Sequence, residues 1–160
     1  MSTALLGGGA AGCMLALRLH ELLPHERIVI FDRRGAPLPK VRATGGGRCN
    51  VTNTFADVAE TADVYPRGAR LMSRLLRATP PESLMARWES LGVALRVEAE
   101  GRVFPASQQS ATVVDALLSA LQRGGVEWRT HSEVHTVAPA PDGTFRLVDR
   151  HGVPVADAHF

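Results

Sequence analysis

Three glycines at a fixed spacing, Gly7-x-Gly9-x-x-Gly12, constrain this chain more than anything else in it. They follow a short apolar run, residues 3–6, and open a segment, residues 10–23, whose leucines Leu15, Leu19, Leu22 and Leu23 recur at helical spacing. Next comes "RIVIFD", residues 27–32, which alternates too little for a half-exposed strand and predicts one buried on both faces, as in a parallel sheet. A strand, a glycine turn, a helix and a second strand ending in the carboxylate of Asp32 thus fall within about thirty residues, the span of a βαβ unit.

Each glycine has a physical task in such a unit. Gly7 permits the tight turn, Gly9 lets bare backbone approach a pyrophosphate, and Gly12 lets helix and strand pack closely. The helix amino terminus, with Ala10 in its first turn, then offers free N–H groups and a favourable dipole to the phosphates. Asp32 stands where a carboxylate accepts hydrogen bonds from an adenosine ribose and repels a 2′-phosphate. Arg33 and Arg34 follow it directly, and arginine beside that carboxylate is how such sites accommodate NADP. The fingerprint predicts a dinucleotide and leaves NAD and FAD both open.

The segment after Asp32 separates the two. A plain NAD-binding domain connects its second strand to the next helix by a short link, whereas residues 33–65 form a long irregular stretch with Pro37, Pro39 and "KVRATGGGRCNVTN" at 40–53. Its bare backbone can form an anion-binding nest or lie against a ring system. Lys40 and Arg48 can offer charge to a pyrophosphate, and Thr44, Asn50 and Asn53 neutral hydrogen bonds. Beyond it, "YPRGARLMSRLLRAT" and "PPESLMARWESLG" predict two helices, "ALRVEAE" and "RVFP" a small hairpin, and "SATVVDALLSALQRGG" an amphipathic helix stopped by Gly124 and Gly125. "VEWRT", "EVHTVAP" and "TFRLVD" read as strands, the last two joined by a turn at "PDG". The pattern predicts a doubly wound α/β core with a helical insertion.

Composition excludes several classes. With 45% hydrophobic and 21% charged residues the chain has a globular balance, and a formal charge of +2 with scattered arginines gives no sign of a nucleic-acid partner. Lys40 is the only lysine among 18 basic residues. The two cysteines, Cys13 and Cys49, form no CxxC pair or Cys/His cluster, which suits a reducing cytoplasm better than a disulfide scaffold or a zinc site. "AAGC" at 10–13 imitates a lipoprotein cleavage site, but residues 1–17 carry no Lys or Arg for a signal n-region. No apolar run reaches the length of a membrane span.

Taken in order, "GGGAAG" at 7–12, "K-x-x-x-T-GGGRCN-x-TN" at 40–53, "YPRG" at 65–68, "W-E-x-x-GV-x-L" at 88–95 and "E-x-x-GRVFP-x-S" at 98–107 resemble the BaiN-like flavoproteins, which include aminoacetone oxidase-like and 3-dehydro-bile acid Δ4,6-reductase-like members. That resemblance covers nearly the whole chain. It implies a Rossmann-like FAD-binding fold of the two-dinucleotide-binding type, a cap domain, a small-molecule substrate and NAD(P)H as reductant. It places Gly7, Gly9 and Gly12 at the FAD pyrophosphate, Asp32 by the adenosine ribose, and Lys40, Thr44, Gly45, Gly46, Gly47, Arg48 and Asn50 along the cofactor toward the flavin, with Ala10 and Arg33 as further cofactor-binding candidates. Val134, expected on a strand in "EVHTV", matches a position whose backbone meets the adenine. Family members commonly carry glutamate where this chain has Asp32.

The same resemblance implies more chain than is present. Members continue into an apolar strand, an "ATGG"-like turn, the cap domain and a Gly-Asp segment that closes over the flavin, whereas this sequence stops at "VPVADAHF". The expectation is a partial FAD-binding domain over 1–160, with a cofactor loop at 33–65, inserted helices and a hairpin at 66–108, and a complementary carboxyl-terminal polypeptide as a conceivable partner. The expected chemistry is flavin reduction followed by hydride transfer to or from a small organic molecule. The alternatives are a non-catalytic fragment or split-enzyme subunit, and an NAD(P)-dependent dehydrogenase domain. Other candidates read more simply: His131 and His135 do not converge on a strand, Cys49 is a packing residue or a redox thiol, Trp88 is helix core, and Arg67, Arg70, Arg74 and Arg77 form a solvated flank.

Overall fold

The structure, a computed structural model, describes residues 2–156. The end of the chain, where the partial domain is expected to break off, lies outside the described residues. Two compact units divide the chain, Met1–Val41 with Leu117–Phe160, and Arg42–Ala116. The division falls inside α2 (Pro39–Ala43) and α6 (Ser110–Arg123).

In the first unit, β1 (Ser2–Leu6), α1 (Ala10–Leu22) and β2 (Arg27–Phe31) form the expected βαβ unit. β1 pairs in parallel with β2 from Ser2↔Arg27 to Leu6↔Phe31, and β6 (Glu127–Arg129) continues the sheet on the far side of β2, giving the order β1-β2-β6. A strand between two neighbours is covered on all sides, and Ile28, Val29, Ile30 and Phe31 are at most 2% exposed. β7 (Thr136–Pro139) and β8 (Phe145–Val148) form an antiparallel hairpin, and Leu147 joins Val29 and Phe31 in one apolar cluster, with Val134 packed against it.

The strand expected around Val134 begins later. The His131 amide donates to the Arg34 carbonyl and the Ser132 amide to the Asp32 carbonyl, so this segment is fastened beside the carboxyl end of β2 as a link, with His131 at a φ of 53°.

In the second unit, β3 (Thr52–Asn53), β5 (Arg102–Pro105) and β4 (Leu95–Val97) form an antiparallel sheet in the order β3-β5-β4. The expected β4–β5 hairpin is present, and β3 adds a strand that the sequence pattern does not reveal. α3 (Thr61–Val64), α4 (Ala69–Ala78) and α5 (Pro81–Ser90) make up the helical part, and Trp88 is buried on α5. Residues 33–65, expected as irregular chain, therefore contain α2, β3 and α3 as well as a one-turn 3₁₀ segment at Thr44–Gly47. Buried Leu38 and Val41 anchor the turn that Pro39 starts with its fixed φ.

Candidate functional site

The first unit gathers the glycine fingerprint and Asp32 around one cleft of about 330 Å³, lined by Gly7, Gly9, Asp32, Arg33, Glu133 and Val134 among others. Gly7 takes a φ of 108°, a conformation side chains disfavour, and its amide donates to the Phe31 carbonyl at 2.8 Å. A Cβ on Gly12 would lie 2.1 Å from the Gly7 carbonyl oxygen, so this glycine is what lets α1 sit against the turn. A Cβ on Gly9 would meet nothing within 4 Å. The backbone at Gly9 is bare toward open space, and α1 begins there with no side-chain cap on its first-turn amides. Ala10 is exposed in that first turn. Uncapped amides at a helix amino terminus suit an anion.

Asp32 is 6% exposed at the end of β2. Its Oδ2 accepts the Gly8 amide at 2.8 Å and its Oδ1 the Arg34 amide at 2.8 Å. Two backbone donors fix the carboxylate's orientation, and each oxygen keeps a lone pair for a ribose hydroxyl. Arg33 is exposed and reaches Glu133 at 3.6 Å, an ion pair at the cleft's rim.

Gly8 and Trp128 support this arrangement without any signal in the three-glycine spacing. A Cβ on Gly8 would lie 2.2 Å from Trp128 Cζ2 and 3.0 Å from Asp32 Oδ2, so the indole of β6 forms the floor of the turn. The third adjacent glycine in "GGGAAG" was the available clue, though its cause lies about 120 residues away. Cys13 lies buried beneath, with its Sγ 3.8 Å from the Gly8 carbonyl oxygen. Burial first, and the Asp32 charge second, push its thiol up to about 12, so Cys13 is neutral packing.

These residues fit the adenosine diphosphate part of FAD: bare backbone at Gly9, uncapped amides on α1, and an oriented carboxylate at Asp32. Lys40 is exposed on α2, in the first unit, outside the residues lining this cleft.

The remaining expected residues belong to the second unit. Gly45, Gly46 and Gly47 have φ values of 57°, 66° and 86°, and Cys49 follows at 64°. The Cys49 amide donates to the Thr44 carbonyl at 3.0 Å, closing the turn. Thr44, the three glycines and Asn50 are exposed, while Cys49 is buried. Arg48 Nη1 donates to Glu98 at 3.0 Å and to Gln108 Oε1 at 2.8 Å, and the guanidinium lies 4.0 Å from the Phe104 ring centroid. The glycine turn is therefore tied to β5 by its own arginine, and the Arg48 charge is already met by a carboxylate, which holds the Glu98 carboxyl below its usual range. A separate groove of about 440 Å³ in this unit is lined by Asn50, Thr52, Phe55, Tyr65, Met72 and Leu75 among others.

Comparison with known proteins follows the same lines. The HI0933-like protein Rossmann domain family matches residues 1–156. The chain is 27% identical over 157 residues to the ribosomal RNA dihydrouridine synthase of Escherichia coli (strain K12), and 27% identical over 150 residues to the 3-dehydro-bile acid delta(4,6)-reductase of Clostridium scindens. Each alignment covers 94% of this chain and 36% of the relative, so the chain spans about a third of their length.

Among solved structures, the open conformation of a flavocytochrome c3 fumarate reductase superposes with a TM-score of 0.61 at 18% identity, over 99% of this chain and 31% of that one. THI4 of Thermovibrio ammonificans superposes at 0.53 and 15% identity, over 92% and 46% of the two chains. CtdE in complex with FAD superposes at 0.51 and 13% identity, over 96% and 35%. The chain has the Rossmann-like α/β fold of these neighbours and belongs to the HI0933-like Rossmann domain family.

Proposed function

We propose that this chain holds the adenosine diphosphate half of FAD in an enzyme that adds two hydrogens to a carbon–carbon double bond conjugated to a carbonyl, with NAD(P)H as reductant. The observation that carries it is the pairing of an oriented, buried Asp32 with bare Gly9 backbone at the start of α1. The names of both relatives describe saturation of double bonds in carbonyl-bearing rings, one in a uracil of ribosomal RNA and the other in an oxidised bile acid. A uracil ring within an RNA and a small ring enone are the two acceptor classes this reading takes.

In the mechanism, the amides at the start of α1 receive the pyrophosphate and compensate its charge, while the Asp32 oxygens accept the ribose hydroxyls. Arg33 and Val134 border the same cleft, and the Val134 backbone is the part that would meet the adenine. A flavin held there would supply hydride, drawn from NAD(P)H, to the electron-poor carbon, with solvent supplying the proton to its neighbour. Two buried free cysteines suit a reducing cytoplasm as the working compartment.

A second reading, a subunit completed by a complementary carboxyl-terminal polypeptide, is favoured by β1. It has one strand neighbour among the described residues, where doubly wound sheets place their first strand centrally.

Anaerobic spectroscopy tests the first reading. With FAD bound, NADH or NADPH is expected to bleach the flavin band, and a ring enone to restore it while an isolated alkene does not. Reoxidation by neither, or by both equally, contradicts it.

A further inference from the structure

The helix α4 carries a row of arginines with no acidic residue close to it in sequence. Arg70, Arg74 and Arg77 lie at i, i+4 and i+7, within about 60° of arc on one flank, and Arg67 precedes them in the turn before Gly68. All four are exposed, and no Asp or Glu occurs between Asp63 and Glu82. Six other arginines, Arg18, Arg27, Arg33, Arg48, Arg102 and Arg129, each reach a glutamate within 3.6 Å. The α4 row makes no ion pair or hydrogen bond among the described residues. Like charges at i+3 and i+4 slightly destabilise a helix, a cost that a polyanion meeting the row would relieve. The net charge of +2 averages over this row and hides it.

We propose that the Arg67–Arg70–Arg74–Arg77 flank of α4 is a docking surface for the phosphate backbone of a structured RNA. The row advances about 1.5 Å per residue, roughly 10 Å from Arg70 to Arg77, and so meets several consecutive phosphates. Guanidinium groups bind phosphate oxygens two at a time, which a helix flank of arginines repeats at each turn. The inference rests on the reading above, in which a uracil ring within an RNA is one of the two acceptor classes, and it selects that class. Leu71 and Leu75 are 61% and 50% exposed beside the row, so an anionic bilayer is the competing occupant. RNA is favoured because two exposed leucines on a ten-residue helix give little area to bury in lipid.

The experiment is fluorescence anisotropy of a labelled RNA stem-loop with the wild-type protein and with the R67Q/R70Q/R74Q/R77Q variant, between 50 and 200 mM KCl. Glutamine keeps helix propensity and removes the repulsion, so the variant is expected to fold. The wild type is expected to bind with a log–log salt slope of about −3, and the variant to bind more than 10-fold more weakly at low salt with a slope near zero, each phosphate contact contributing about −0.7 to −0.9.

FAD binding and flavin reoxidation by the small enone are expected unchanged in the variant, and RNA binding is read on oxidised protein without turnover. Loss of flavin chemistry with the salt-dependent RNA binding intact would therefore count against the proposed reaction alone. Equal RNA binding by the two proteins, no binding by the wild type at 50 mM KCl, or wild-type binding to phosphatidylglycerol vesicles in place of RNA overturns the proposal.

Discussion

Adjacent glycines in one turn should respond to alanine in opposite ways. At Gly8 the new Cβ would lie 2.2 Å from Trp128 Cζ2, 2.8 Å from Cε2 and 3.0 Å from Asp32 Oδ2. A rigid, half-buried indole against the turn cannot swing aside as a flexible chain does, so the turn must move. Overpacking of this kind costs about 1–3 kcal/mol. Moving the turn also lengthens the buried 2.8 Å bond from the Gly8 amide to Asp32, and a hydrogen bond to a charged group is worth about 1.5–3 kcal/mol. Gly8→Ala should therefore lower unfolding free energy by about 3 kcal/mol or more, a large part of the total for a small domain.

At Gly9 the same methyl meets nothing within 4 Å, and a φ of −83° suits alanine. The unfolded chain loses freedom, the helix start loses a preferred residue, and the net change should stay within about 1 kcal/mol. The methyl does project where bare backbone is available to a pyrophosphate, so Gly9→Ala should weaken FAD binding at least tenfold. Urea unfolding of the apoprotein and FAD titration by flavin fluorescence measure both. Comparable destabilisation by the two substitutions, or unaltered FAD affinity in Gly9→Ala, refutes the assignment of Gly8 to the fold and Gly9 to the ligand.

Arg48→Ala removes the bonds to Glu98 and Gln108 and the guanidinium over Phe104, and should cost about 1–2 kcal/mol in urea unfolding while loosening amide protection at 44–50. Cys13 gives a pH dependence: its thiol titrates near 9.0 when unfolded and is pushed up to about 12 by burial, so the unfolded chain holds fewer protons above pH 9. Stability is full below that value and should fall from pH 9 toward 12, and Cys13→Ala should flatten the fall in thermal melts. Gly12→Ala, with its Cβ 2.1 Å from the Gly7 carbonyl, should leave little folded protein by circular dichroism at room temperature.

The βαβ unit was legible because its evidence is local: apolar runs, glycine spacing and the Asp32 position all lie within about thirty residues. The glycine turn at 45–47 was legible as unusual backbone, though its brace from Arg48 to β5 was not, because Glu98 and Gln108 lie about 50 and 60 residues on. β3, only Thr52–Asn53, is too short to show alternation and exists because β5 pairs with it. Val134 left its expected strand for the same kind of reason, as amides at 131 and 132 find acceptors on Arg34 and Asp32. Trp128 under Gly8 was invisible, since nothing in "VEWRT" says which turn the indole supports.

The central claim is that Gly7–Gly12 and Asp32 hold the adenosine diphosphate part of FAD. Amide chemical-shift mapping by ¹⁵N NMR during titration with FAD tests it most directly, with Asp32→Asn as control. The largest shifts are expected at Gly8–Gly12, Asp32–Arg34 and Val134, and are expected to shrink in the control. Saturable FAD binding that leaves those amides unmoved, or no binding at millimolar FAD by a folded protein, contradicts it.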